Sequence, residues 1–211
     1  MAHIQTDTWT PASWPQFIEA TQSETHRTGR AYYDQGYMRI EIAPLGAAYG
    51  QDNSVISTVV TLYGLAKGLP IKELINTSFR QAGVRECQPD LAYYIGSAVQ
   101  PLPQDNAPVD MDRFGAPTLM VEIGATSFSD DLGRKRLLYE QLGVEEYWVI
   151  NSQSKDVIAF AVAEGRSGRI DASQVLPNLG MALVSEALQR SAAENTSAIG
   201  QWLLQTYNGL A

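Results

Sequence analysis

The sequence predicts a single α/β domain over residues 1–211, with a central mixed β-sheet flanked by helices. Three observations carry this. From Thr118 to Asn151 the chain reads as strand, helix, strand: "TLMVEIG" and "EEYWVIN" are apolar runs of strand length, and the segment between them has apolar residues at helical spacing. Residues 47–67 place Val55, Ile56, Val59, Val60, Leu62, Tyr63 and Leu65 at helical intervals, which predicts a long helix. Finally, 45% apolar residues in a chain of 211 suffice for one sizeable core.

The elements follow in order. Residues 13–22 predict a short helix with a Ser cap. "GYMRIEIAP" (36–44) alternates like a strand, which Pro44 and Gly46 end. After the long helix, stopped by Gly68 and Pro70, residues 71–96 read as two or three short strands with a turn around Gln81 to Gly83. Residues 97–117 hold four prolines and no periodicity. A loop of that length borders a functional cleft or a dimer interface, or is disordered. A helix is predicted from about Asp131 to Leu142, with Ser127 and Asp130 as its capping box and Gly133 allowing close packing. "VIAFAVAEG" and "GRIDAS" read as a hairpin joined by Gly165 to Gly168, and residues 182–190 and 194–207 as closing helices.

Composition excludes several classes. No apolar run approaches the roughly 20 residues of a membrane helix. No basic stretch precedes an apolar block at the amino terminus, so the default compartment is the cytoplasm. Cys87 is single and reads as a small strand residue, while His3 and His26 are far apart, which argues against zinc and against a Ser-His-Asp triad. A net charge of −8 argues against strong non-specific nucleic-acid binding, though not against a nuclease whose cations are gathered in one cleft.

Chemistry must therefore rest on carboxylates, lysines and hydroxyls. In "LMVEIG" Leu119, Val121 and Ile123 share one strand face, while Met120, Glu122 and Gly124 share the other. A carboxylate on a buried strand is normally paired, metal-bound or protonated; on an edge strand it would face water. At about 100° per residue, Lys135 falls on the apolar arc of Leu132, Leu138, Tyr139 and Leu142, where it either snorkels outward from the edge or is a cation held beside acidic groups. Arg134 and Arg136 fall outside that arc, as a solvated face or as phosphate contacts. Asp90 opens the strand "DLAYYI". Two carboxylates from neighbouring strands beside a lysine would form an oxygen-ligand site for magnesium or manganese. Tyr93, Tyr94, Tyr147 and Trp148 read as core.

"QPDLAYYIG" and "PTLMVEIGATSFSDDLGRKRLLYEQLGVEEYWVIN" resemble the Uma-type endonuclease family, in the superfamily named for its Pro-Asp, Asp/Glu-x-Lys motif. The resemblance runs from Gly36 to "VLPNLGMAL" near residue 183. It implies a restriction-endonuclease-like core over about residues 36–185, with C-terminal helices at about 182–209. It also implies a metal-dependent endonuclease that hydrolyses DNA, ahead of RNA, with Mg2+ or Mn2+ on Asp90 and Glu122. By the same resemblance the partners are nucleic acid and a second copy in a homodimer, with no membrane. The motif lysine should stand two residues after Glu122, where the chain has Gly124; the resemblance suggests that Lys135, on the next helix, replaces it and orients or activates the attacking water. Tyr49 stands where the family often carries a histidine. Glu41, Gln51 and Asp52 are additional candidates, each of which reads more readily as a surface group. The alternative is a catalytically inactive nuclease-fold module that binds protein or nucleic acid, and a weaker one a structural subunit with a hydrogen-bonded acidic pair.

Overall fold

The computed structural model describes residues 5–23, 29–42 and 46–210. His3, His26 and Pro44 therefore lie outside the described residues.

The chain begins with β1 (Thr10–Pro11), α1 (Trp14–Gln22), β2 (Arg30–Asp34) and β3 (Tyr37–Glu41), followed by α2 (Ala47–Lys67). Four strands come next: β4 (Ile71–Ile75), β5 (Phe79–Gln81), β6 (Arg85–Cys87) and β7 (Leu91–Ile95). Then come β8 (Val109–Asp110), α3 (Met111–Phe114), β9 (Leu119–Gly124), α4 (Phe128–Leu132), α5 (Arg134–Leu142) and β10 (Glu146–Asn151). The chain closes with β11 (Val157–Ala163), β12 (Arg166–Ile170), α6 (Met181–Arg190) and α7 (Thr196–Gly209).

The class is α/β as expected, but the strands form two mixed six-stranded sheets instead of one central sheet. The first has the order β1-β3-β2-β6-β5-β8 and the second β12-β11-β10-β9-β7-β4. Parallel pairing joins β9 to β10 and β5 to β8. The first sheet escaped the sequence reading because β2 did. Its turn to β3 is the two residues Gln35 and Gly36, both at positive φ (42° and 96°), the backbone that suits a tight hairpin.

Alternation along each strand divides the interior. Leu119, Val121, Ile123, Leu91, Tyr93, Trp148 and Ile150 pack against α2, α6 and α7. Met120, Ala92, Tyr94, Tyr147 and Val149 face the other way, toward Leu138 and Tyr139 of α5 and Tyr32 and Phe79 of the first sheet. The central strands of the second sheet are thus covered on both faces, which is why β7, β9 and β10 read as continuous apolar runs. The first sheet divides likewise: Ala31, Tyr33, Met38 and Ile40 pack on Phe17 and Ala20 of α1. Arg30, Tyr32, Arg39 and Glu41 consequently point inward, at the second sheet.

Several expectations need correction. Residues 71–95 hold four strands, not two or three. The helix expected from Asp131 is two helices, broken at Gly133 (φ −102°, ψ −104°), where an added Cβ would lie 3.0 Å from the Ser129 carbonyl. Ser127 makes no capping bond; its hydroxyl donates to Asp131 Oδ2 at 2.8 Å. The β11–β12 turn is Glu164 and Gly165, both at positive φ, rather than Gly165 to Gly168. Residues 97–117 are anchored by Leu102, Val109 and Met111 in the second core cluster and do not border the site described below. Leu65, placed on the apolar pattern of α2, is 70% exposed. No helix among the described residues is long and apolar enough to cross a membrane.

Candidate functional site

Three surfaces meet at one charged cluster. Arg30, Tyr32 and Glu41 come from the inward face of the first sheet, Asp90 and Glu122 from the second sheet, and Lys135 and Tyr139 from α5. Leu91 pairs with Val121; one step further along these antiparallel strands, Asp90 stands beside Glu122. Both are buried, at 0% and 1% exposure.

Asp90 is fixed through both oxygens. Its Oδ2 accepts the Ile123 N–H at 2.6 Å, and its Oδ1 accepts from Arg30 Nη1 and from the Tyr49 hydroxyl at the start of α2. Glu122 Oε1 accepts from the Tyr32 and Tyr139 hydroxyls at 2.9 and 2.5 Å, and Oε2 lies 3.4 Å from Arg30 Nη1. Burial pushes the Glu122 carboxyl up to about 8, Asp90 and Asp131 adding to the effect against Lys135 and Arg30. Burial also raises both tyrosines, which remain O–H donors.

Lys135 has no exposed surface. Its Nζ sits 2.8 Å from Glu41 Oε1, 2.8 Å from Asp131 Oδ1 and 3.7 Å from Glu122 Oε1, and 4.3 Å over the Tyr32 ring. Burial alone would lower its pKa; Glu122, Glu41 and Asp131 outweigh burial and raise it, so the group is an ammonium. Burial likewise works against the Glu41 charge, but Lys135 and Arg30 hold its carboxyl below the ordinary value.

Gly124 has a steric explanation. A Cβ there would lie 2.1 Å from Ser127 Oγ and 3.3 Å from Asp131 Oδ2. A side chain at residue 124 would therefore displace the Ser127 hydroxyl from Asp131, and the positive charge of the cluster comes from α5.

A cleft of about 550 Å³ opens over the cluster, lined by Arg30, Arg39, Glu41, Tyr49, Ile123 and the Gly124–Ser127 turn, among others. Two carboxylate oxygens facing one point fit a hard divalent cation in donor chemistry. That point is held by the Arg30 guanidinium, and no group of three Asp, Glu, His or Cys arranged to hold a metal occurs among the described residues.

The remaining candidates separate. Glu41 is not a surface group but part of the cluster, and Tyr49 touches Asp90. Asp52 is buried as well, yet pairs with Lys155, whose Nζ lies 2.7 Å from both its oxygens, outside the cluster. Gln51 is exposed and donates to the Ser191 carbonyl. Arg134 packs on the rings of Trp9 and Tyr37, 4.4 and 4.2 Å from their centroids, and Arg136 lies over Phe160. Sequence reasoning missed Arg30, Tyr32, Asp131 and the hydroxyl role of Tyr139. Arg30 and Tyr32 were within reach, because "RAYYD" and "YMRIE" flank Gln-Gly, a hairpin signal.

Fold and site together define an α/β protein with a paired-carboxylate site at the meeting of two mixed sheets. The chain belongs to the Uma2 family, described as "putative restriction endonuclease", whose model matches residues 14–194. A solved structure similar to it is the crystal structure, at 1.96 Å resolution, of a "putative nuclease belonging to DUF820" from Anabaena variabilis ATCC 29413. The match covers 84% of this chain and 99% of that one at 16% identity, with a TM-score of 0.55, a likeness of fold alone. No curated protein matches the chain.

Proposed function

We propose that the protein is a metal-dependent endonuclease with a restriction-endonuclease-like core, which hydrolyses phosphodiester bonds in DNA. The observation that supports this reading best is the convergence of Asp90 Oδ1 and Glu122 Oε2 on one point beneath the cleft. Asp90 and Glu122 would hold Mg2+ or Mn2+, an ion that supplies an activated water and offsets charge in a phosphoryl transition state. The Ile123 N–H and Tyr49 orient Asp90, and Tyr32 and Tyr139 orient Glu122. Lys135, as an ammonium paired with carboxylates, acts as a positioning charge and not as a proton acceptor. A homodimer, bringing two sites to two strands, belongs to the same proposal.

The test is Mg2+- or Mn2+-dependent cleavage of single-stranded, duplex and branched DNA by the wild type, Glu122→Gln and Lys135→Ala. Metal-dependent cleavage by the wild type, lost in Glu122→Gln and strongly reduced in Lys135→Ala, supports the reading. A second reading, a nuclease-fold binding module without catalysis, is favoured by Arg30 at the convergence point and by Gly124. Absence of cleavage by the folded wild type on every substrate selects it.

A further inference from the structure

Arg30 is placed unlike an ordinary structural arginine. Its Nη1 donates to Asp90 Oδ1 and lies 3.4 Å from Glu122 Oε2, while Nη2 lies 3.4 Å from Glu41 Oε2. The residue is 4% exposed yet borders the cleft. Its Nε is buried with no hydrogen-bond partner among the described residues. Buried donors are normally paired, so charge, not hydrogen-bond completeness, holds the guanidinium in this position.

We propose that Arg30 is the resident counter-ion of the Asp90–Glu122 site, that a divalent cation enters only by displacing it, and that the displaced guanidinium takes a backbone phosphate of the nucleic acid. The inference rests on the nuclease reading above. Arg30 Nη1 already stands at the point that Asp90 Oδ1 and Glu122 Oε2 both face, so a divalent cation that takes both oxygens needs that place. The adjoining cleft gives the long side chain somewhere to go, and a planar guanidinium matches phosphate geometry. Two consequences follow by linkage. The free protein binds metal weakly, and metal and nucleic acid each tighten the binding of the other, because phosphate gives the displaced arginine a new partner.

Mn2+ titration calorimetry on the full chain tests this with the wild type, Arg30→Gln, Arg30→Lys and Asp90→Asn, each checked for folding by circular dichroism. Arg30→Gln is expected to bind Mn2+ about tenfold tighter or more, Arg30→Lys to stay near the wild type, and Asp90→Asn to lose binding. A non-cleavable phosphorothioate oligonucleotide should tighten Mn2+ binding to the wild type and not to Arg30→Gln. If Arg30→Gln binds Mn2+ no tighter than the wild type while Asp90→Asn loses it, the counter-ion inference falls and the nuclease reading stands. If no folded variant binds Mn2+, wild type included, both fall. Should Arg30→Gln not fold, the wild type decides by nuclear magnetic resonance. Saturating Mg2+ is expected to speed hydrogen exchange at Arg30 Nε, and unchanged exchange with Mg2+ bound overturns the inference.

Discussion

Lys135 Nζ lies 2.8 Å from Glu41 Oε1 and 2.9 Å from Oε2, which ties α5 to β3 across 94 residues of chain. Both side chains are buried, so the value of the pair shows when one partner is removed. Two oppositely charged groups out of water roughly offset their desolvation, whereas one left alone does not.

Lys135→Met should therefore destabilise the fold by about 3–5 kcal/mol, since, among the described residues, buried Asp131 loses its one cation and Glu41 loses one of three. Urea unfolding measures it. Adding Asp131→Asn to Lys135→Met should recover part of the loss, because Asp131 has no other cation among the described residues, whereas Glu41 keeps Arg39 Nε at 2.7 Å and Arg30 Nη2 at 3.4 Å. A cost below about 1 kcal/mol for Lys135→Met would contradict the buried-pair account.

Gly124→Ala should cost about 1–3 kcal/mol, the range for forcing a methyl into packed space. The new Cβ would lie 2.1 Å from Ser127 Oγ, so Ser127 must turn away from Asp131. With Ser127→Ala in addition, the nearest Ser127 atom left is Cβ at 3.5 Å, an ordinary contact. The double variant is expected to be more stable than Gly124→Ala alone. Equal stability would mean that the strain lies elsewhere.

The Glu122 carboxyl, pushed from 4.5 to about 8, makes stability depend on pH with a definite sign. The folded state holds a proton that the unfolded chain releases near its ordinary pKa. This contribution is therefore full below about pH 4.5 and is lost as pH rises toward 8. The slope within that window approaches about 1.4 kcal/mol per pH unit. Glu122→Gln removes it, so the difference in unfolding free energy between wild type and variant should change steadily from pH 5 to pH 8, in disfavour of the wild type. A difference flat with pH would show that Glu122 is already ionised in the fold.

Much of this was legible in sequence because it follows from periodicity. The β9 alternation put Glu122 on a chosen face, and the helical arc put Lys135 toward the sheet, where it is found buried. Apart from the β2–β3 hairpin, the first sheet was not legible. Its other strands are short, three residues in β5 and β6, and the β2–β6 and β5–β8 pairings join segments far apart in the chain. Glu41 and Asp52 read as surface groups because a charged residue at a strand end or within a helix is usually solvated. Only tertiary packing supplies Lys135 and Lys155 as their partners.

The cluster joins side chains far apart along the chain: Arg30 to Asp90 spans 60 residues, Arg30 to Glu122 spans 92 and Glu41 to Lys135 spans 94. Contacts of such separation close last, after hairpins and helices have formed locally. The cluster is therefore expected to form on the native side of the folding barrier, with φ-values near zero for its residues. Substitutions in it are then expected to speed unfolding and leave the folding rate nearly unchanged, as stopped-flow kinetics would read. On that expectation the same few ion pairs that define the site would also set how long the folded chain persists.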